Sequence, residues 1–325
     1  MVSTARSRLF SLALLIALLA LVRAGGAEVP CVWTNVERIV AIGDIHGDYG
    51  RLVEVLQAVG LIDKTNGWCG GKTHLVQMGD VLDRGPDSRR ALDLLRTLEK
   101  QAAAAGGAVH ALIGNHEAMV LSGDYSYVHP GEIEAFGDLE SFQKAFAPDG
   151  EYGRWILSHN AVIRINDIVF AHGGLPPSSR NWSLCEINAA LRRDLMDPKD
   201  GNPEVMDSMS PLWYRGLAVM EDDDENCARL EQLLQSLGAS RIVVGHTVTK
   251  GGIRLRANGR VIMVDVGLSR YYVNGPPVCL LVEKGKLYEI GPGVRRELPS
   301  AGRPFRQGGA VGTVGSRAGN HGGDE

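Results

Sequence analysis

Strand-like and helical segments alternate along the first half of this 325-residue chain, and this alternation limits its possible folds more than any other feature. Three apolar segments that end in polar residues are strand-like: ERIVAIGD (37–44), THLVQMGD (73–80) and AVHALIGNHE (108–117). Between them, the segments 49–60 and 88–107 repeat apolar residues at helical spacing and end in glycine. Helices between successive strands are typical of parallel pairs, so the pattern predicts an α/β fold with a parallel βαβαβ unit.

The second half of the chain is predicted to form hairpins within a mixed sheet. The segments 161–174 and 252–267 each place a turn dipeptide, Asn-Asp or Asn-Gly, between two apolar runs. A third hairpin is predicted over 278–290, and RIVVGHT (241–247) is a single strand. The intervening segment 118–160 has a less regular helical pattern.

The first 27 residues have the order of a secretory signal peptide. Two arginines precede an apolar run over 9–22, and small residues follow at 24–27. The run is shorter than the ~20 residues of a membrane-spanning helix, although an uncleaved anchor or an organelle transit peptide is the alternative. We therefore expect a protein of the secretory pathway (lumen of the endoplasmic reticulum, or secreted) without stable membrane insertion after cleavage.

Charge, cysteine content and the C-terminal segment narrow the class of protein further. The formal charge of −4 and a pI near 6.2 provide no basic surface, so nucleic acid is not an expected partner. In an oxidising compartment one or two disulfides are possible, with at least one cysteine left over, although isolated small core residues are the alternative. Residues 299–325 are rich in Gly, Arg and Ser without apolar periodicity, which predicts a disordered tail.

Polar side chains follow five of the predicted strands at the point where each strand ends. Ligands of α/β sheets bind where strands end, because the loops there converge. Carboxylate oxygens mixed with imidazole and amide groups suit manganese, iron or zinc. Each group alone has a simpler explanation, such as a turn cap or an ion pair, but together they predict a metal site. The residues are Asp44 and His46; Asp80, Asp83 and Arg84; Asn115 and His116; His172; and His246.

These residues lie in motifs that resemble a known family. GDIHG, GDVLDRG, GNHE, HGG and a late GH occur in the order of the phosphoprotein phosphatase branch of the calcineurin-like metallophosphoesterases. The longer stretches GGKTHLVQMGDVLDRGPDSRRALDLLRTLEK, VHALIGNHEAM and PLWYRG resemble the Shewanella-like protein phosphatases. The resemblance covers roughly residues 38–290 and implies a two-sheet αβ sandwich flanked by helices. We assign the catalytic domain to residues 28–298.

The resemblance also implies a role for each site residue. His116 matches the general acid, and Asp83 the carboxylate that orients it. Arg84 and Arg215 match the arginines that bind the substrate phosphate. Two divalent metal ions are implied, the first bound by Asp44 and His46 and the second by Asn115, His172 and His246, with Asp80 bridging both.

The predicted activity is metal-dependent hydrolysis of phosphate monoesters in phosphorylated proteins. Two metal ions would bind the phosphoryl oxygens and activate water, arginine matches phosphate geometry, and histidine can protonate a leaving group near neutral pH. Phosphotyrosine is favoured weakly over phosphoserine or phosphothreonine. The alternatives are a symmetrical dinucleoside tetraphosphatase and a non-catalytic phosphate-binding scaffold. Asp265 is either a partner of a metal ligand or a turn residue, and it is not included in the predicted site.

Expression in a eukaryotic cell tests the prediction about the N-terminus. We expect the mature chain to lack the first 27 residues, because the charged, apolar and small-residue regions follow in the order that signal peptidase recognises. Secretion should also expose the sequon at Asn181 to glycosylation. N-terminal sequencing and glycosidase treatment of the recovered protein would show both changes. An intact N-terminus on cytosolic protein would contradict the prediction.

Overall fold

The structure is a computed structural model that describes residues 29–196 and 205–299, so the predicted leader and almost all of the predicted tail lie outside the described residues. Within them, twelve strands form two six-stranded sheets, and one hydrophobic core includes residues of both. The predicted two-sheet α/β fold is therefore confirmed. In the same residues, no helix combines the length and apolar character needed to cross a membrane.

Each sheet mixes parallel and antiparallel pairs. One has the order β1-β5-β6-β7-β9-β8 and the other the order β12-β11-β10-β2-β3-β4, where β numbers follow the chain. The strands of the first sheet are β1 (Val32–Trp33), β5 (Val162–Ile165), β6 (Ile168–Ala171), β7 (Arg241–Val244), β8 (Arg254–Arg256) and β9 (Val261–Met263). Those of the second are β2 (Arg38–Ile42), β3 (His74–Gln77), β4 (Ala108–Ala111), β10 (Cys279–Glu283), β11 (Lys286–Gly291) and β12 (Val294–Leu298).

The α-helices of the described residues lie between these strands. The chain folds into α1 (Tyr49–Ala58), α2 (Ser88–Ala104), α3 (Asn115–Leu121), α4 (Pro130–Ala135), α5 (Leu139–Phe146), α6 (Glu151–Leu157), α7 (Leu184–Met196), α8 (Gly216–Val219) and α9 (Asp224–Ser236). Four of them, α3 to α6, account for the irregular helical pattern of residues 118–160. Aromatic rings pack together there and join this region to the common hydrophobic core.

The predicted βαβαβ unit is present. Strand β2 pairs in parallel with β3, and β3 with β4, and helices α1 and α2 connect them. Asp48 caps α1 by accepting the backbone amide of Arg51, and Gly60 ends that segment at a φ of 73°. The carboxyl ends of β2, β3 and β4 consequently lie side by side, which places the loops that follow them at one edge.

All three predicted hairpins are confirmed, whereas the strands at two sheet edges were not predicted. The pairs β5–β6, β8–β9 and β10–β11 are antiparallel, with residues of positive φ in their turns. Strand β1 has only two residues, and β12 exposes four of its five. Neither offers the alternating apolar pattern that identifies a half-buried strand.

One disulfide closes a long loop of the chain. Cys31, just before β1, is bonded to Cys185 in α7, 154 residues later, with their Cα atoms 5.8 Å apart. Cys69 is a free exposed thiol, whereas Cys227 and Cys279 are free and buried. The bond therefore ties the edge of the first sheet to the helix that packs beside β5.

Removal of this disulfide should destabilise the fold. Cys185→Ser is expected to lower the free energy of unfolding by about 2–4 kcal/mol, because a cross-link over a long loop restricts the unfolded chain. Denaturant titration followed by circular dichroism would measure the change, with Cys69→Ser as the matched control. Reductant should reproduce the loss in wild-type protein and add nothing in Cys185→Ser. Equal stability of the two variants would contradict the prediction.

Candidate metal centre and active site

The loop after β2 contributes Asp44 and His46, both almost fully buried. Nδ1 of His46 donates to the carbonyl of Leu82 (3.1 Å), so Nε2 of the ring is left to face the centre. The backbone amides of Ile45 and His46 both donate to the carbonyl of Asp80 at 2.9 Å. These hydrogen bonds therefore hold the loop after β2 against the loop after β3.

A buried carboxylate, that of Glu117, connects the loops after β3 and β4. It accepts the backbone amides of Asp80 (2.7 Å), Val81 (2.8 Å) and Leu82 (3.3 Å) from one loop and that of Gly114 (2.8 Å) from the other. These four contacts fix Asp80 relative to the start of α3. Glu117 is the last residue of the GNHE motif, and this structural role was not predicted from the sequence.

Asn115, His172 and His246 meet Asp80 on the other side of the centre. Nδ1 of His172 donates to the carbonyl of Met78 (2.8 Å), so its Nε2 is directed into the centre. That Nε2 lies 2.9 Å from Oδ1 of Asn115 and 3.4 Å from Oδ1 of Asp80. Ligand atoms of Asp80, His172 and His246 all lie within 4.8 Å of one another, and so do those of His46, Asp80 and His116.

These contacts fit divalent cations. Nε2 of His172 faces the amide oxygen of Asn115 and a carboxylate oxygen of Asp80, and the buried Nε2 of His246 has no hydrogen-bond partner among the described residues. Burial, together with the charges of Asp265 and Asp80, raises the pKa of Asp44 well above its usual range. Two buried carboxylates, an amide oxygen and imidazole nitrogens therefore converge, which is an arrangement that a positive ion stabilises.

Asp265 belongs to this centre, although the sequence analysis left it out. It follows β9, is 2% exposed, and lines the same cavity as Asp44 and Asp80. Burial raises the pKa of Asp265 to about 6, and its Oδ1 accepts the backbone amide of Gly267 at 2.9 Å. The one feature of the sequence that pointed to Asp265 was its position after a predicted strand, and a turn residue would have the same position.

His116 and Asp83 form a hydrogen-bonded pair beside the metal centre. Nδ1 of His116 lies 2.5 Å from Oδ2 of Asp83, and the backbone amide of His116 donates to Oδ1 of Asp80 (3.0 Å). The Nε2 atom of His116 points toward the cavity, 3.3 Å from a terminal nitrogen of Arg84. This atom is the one available for proton transfer, because Asp83 binds the other ring nitrogen.

The two predicted phosphate-binding arginines are held at the mouth of the cavity. The guanidinium carbon of Arg84 lies 3.9 Å from the ring centre of Tyr272 and 5.3 Å from that of Tyr127. Arg215 donates to the carbonyl of His246 (2.7 Å) and to the hydroxyl of Thr247 (3.1 Å). Both guanidinium groups are thus oriented before substrate binds.

The structure brings all ten predicted site residues together. Eight of them line one cavity of about 150 Å³, and Asp83 and His172 lie directly behind its wall. Besides Asp265 and Met119, three aromatic side chains that were not predicted as site residues line this cavity: Tyr127, Trp213 and Tyr272. They lie in loops that have no periodic pattern. Four of the remaining histidines (His74, His110, His129, His159) lie apart from this cavity, while His321 falls outside the described residues.

Comparison with known proteins identifies the class. Residues 37–250 match the family described as calcineurin-like phosphoesterase. The chain is 31% identical to Shewanella-like protein phosphatase 2 of Arabidopsis thaliana, covering 76% of this chain and 75% of that protein. It is 33% identical to Shewanella-like protein phosphatase 1 of Plasmodium berghei, covering 74% and 69%.

A solved structure agrees with these relatives. The cold-active protein-tyrosine phosphatase of a psychrophilic Shewanella species superposes with a TM-score of 0.74 at 32% identity, covering 84% of this chain and 85% of that one. The chain belongs to the calcineurin-like phosphoesterase family, in the branch of the Shewanella-like protein phosphatases. It is a metal-dependent phosphatase, as the sequence predicts.

Substitution of Asp80 tests the metal centre. Asp80→Asn should lower the bound metal and the hydrolysis rate by more than the roughly 10–100-fold typical of an outer-shell partner, because this carboxylate contacts both groups of ligands. Elemental analysis and phosphatase assays would measure the two effects, with the exposed Asp149→Asn as control. Normal metal content in Asp80→Asn would remove this residue from the centre.

Proposed function

We propose that this phosphatase hydrolyses phosphorylated side chains of proteins, with a preference for phosphotyrosine, by using two divalent ions of manganese, iron or zinc. The observation that carries the preference is the position of Tyr127 and Tyr272. Both rings are about half exposed and flank Arg84 at the mouth of the cavity. The names of the relatives, two protein phosphatases and one protein-tyrosine phosphatase, support the substrate class.

Binding of the phosphate falls to Arg84 and Arg215. Each guanidinium group offers paired N–H donors whose geometry matches phosphate oxygens, and both line the cavity that also contains His116. Arg84 lies 3.3 Å from Nε2 of His116. A phosphoryl group bound by Arg84 consequently lies within reach of the histidine.

His116 supplies the proton that the leaving oxygen needs. Asp83 accepts a hydrogen bond from Nδ1–H of His116 and holds the ring in place, so Nε2 faces the substrate. When bound by Asp44, His46, Asp80, Asn115, His172 and His246, the two ions supply positive charge for the phosphoryl oxygens and lower the pKa of water. A tyrosine leaving group, with a pKa of about 10, is less basic than a serine alkoxide and needs less help from the acid.

The rings of Tyr127 and Tyr272 favour an aromatic leaving group. Tyr127 packs edge-on against His116 and Tyr272 edge-on against His46, so an aryl ester bound between them would meet ring edges and faces. A serine side chain would leave that apolar surface uncovered. We therefore expect the preference in substrate binding as well as in chemistry.

Secretion is part of the proposal. The Cys31–Cys185 disulfide supports it, because such bonds persist in oxidising compartments. The leader itself lies outside the described residues.

A panel of matched phosphopeptides tests this function. Metal-loaded enzyme should hydrolyse phosphotyrosine peptides with a higher kcat/KM than the same peptides with phosphoserine, and exhaustive chelation should abolish both activities. Addition of Mn²⁺ should restore them. A dinucleoside tetraphosphate, followed by chromatography, serves as the competing substrate. Faster hydrolysis of the dinucleotide than of every peptide would overturn the proposal, and a preference for phosphoserine would overturn the tyrosine assignment alone.

A further inference from the structure

Glu132 is a fully buried glutamate that the proposed mechanism does not use. It lies in α4 with 0% of its surface exposed, although glutamate is almost never fully buried unless it is paired. Within residues 29–196 and 205–299 it forms no ion pair with lysine or arginine. Burial of such a group is costly, so its contacts should explain why it is there.

The contacts of Glu132 lead to the Asp83–His116 pair. Its Oε2 accepts the hydroxyl hydrogen of Ser88 at 2.8 Å, whereas its buried Oε1 has no hydrogen-bond partner among the described residues, and the carboxyl group lies near the backbone N–H of Asp83. Ser88 is the first residue of α2 and is also fully buried. Glu132 is therefore bonded to the start of a long helix and lies beside the turn that carries Asp83.

This turn needs support because its backbone is strained. Asp83 and Arg84 have φ values of 72° and 67°, a left-handed conformation that costs side chains other than glycine about 1–3 kcal/mol each. The chain just before and within α4 contacts both residues. The carbonyl of Tyr127 accepts the amide of Arg84 (2.9 Å), and Glu132 faces the amide of Asp83.

Glu132 and Asp83 are neighbouring buried acids that differ in charge, because their surroundings differ. Burial raises the pKa of Glu132 to about 8; the hydroxyl of Ser88 and the amide of Asp83 oppose this rise, and the charges of Asp83 and Glu117 add to it. Glu132 is thus mainly neutral near pH 7. Burial raises the pKa of Asp83 as well, but the hydrogen bond and charge of His116 oppose that rise, so Asp83 is the acid of the two whose negative charge is stabilised. Two adjacent buried carboxylates that were both ionised would instead repel each other.

We propose that Glu132 is a positioning residue that acts through Asp83 to keep His116 aligned for proton transfer to the leaving oxygen. The inference rests on the proposed function, because it assumes that His116 is the proton donor. A neutral carboxyl group that accepts a hydrogen bond from Ser88 and lies beside Asp83 would fix the turn. Because it carries no charge, it would not repel the Asp83 carboxylate from its place beside His116. A glutamine side chain has the same shape and is also neutral, so it should serve nearly as well.

The test compares three substrates that differ in leaving-group basicity: a phosphoserine peptide, a phosphotyrosine peptide and nitrophenyl phosphate. Misalignment of a proton donor should slow hydrolysis most for the most basic leaving group. Glu132→Ala should lose roughly 10–100-fold on phosphoserine, less on phosphotyrosine and least on nitrophenyl phosphate, with metal content unchanged. His116→Asn should give the same order with larger losses, whereas Glu132→Gln should retain most of the wild-type rate.

Control variants separate positioning from general destabilisation. Glu134→Ala, at an exposed site of the same helix, should match wild-type enzyme on all three substrates. If Glu132→Ala does not fold, Ser88→Ala and Glu132→Gln decide, since Ser88→Ala should show the same order with smaller losses. Equal losses on all three substrates, or a Glu132→Gln enzyme as slow as its alanine counterpart, would overturn the inference alone. Wild-type enzyme inactive on all three would overturn the proposed function and the inference with it.

Discussion

The four hydrogen bonds from backbone amides to the Glu117 carboxylate are the contacts on which the active site depends most. They fix the loop after β3 to the loop after β4, so Asp80, Asn115 and His116 keep their relative positions. Loss of this carboxylate would leave four buried amides unpaired, at about 1–3 kcal/mol for each. Asp80, the predicted bridging ligand, and His116, the proposed proton donor, therefore share one structural support.

The second constraint on the structure is the number of acidic side chains buried close together in the active-site cavity. Burial acts to raise the pKa of Asp80, but the charges of His172, His116 and His46 outweigh it and hold that pKa well below the usual range. Asp44 and Asp265 have raised pKa values in the same cavity. Since bound cations offset such repulsion, metal binding and stability of the folded chain are coupled, and chelation should act on both.

The parts of this fold that could be predicted are those in which the local sequence determines the structure. Apolar segments, helical spacing and turn dipeptides located the βαβαβ unit and three hairpins, and polar residues at strand ends located the centre. No role was predicted for Glu117 and two alternatives were left open for Asp265, because their roles depend on which loops meet in space. The Cys31–Cys185 pairing spans 154 residues, and Tyr127 and Tyr272 lie in loops, so spacing alone could not identify them.

Five site residues that are not glycine adopt positive φ values between 45° and 72°: His46, Asp80, Asp83, Arg84 and His246. Glycine would hold these backbone conformations with less strain, so each residue is retained against the preference of the local backbone. The active site is thus the region where stability and catalysis conflict most directly. In a lineage released from selection for activity, we expect glycine and asparagine to replace these five residues early, while the fold around them persists.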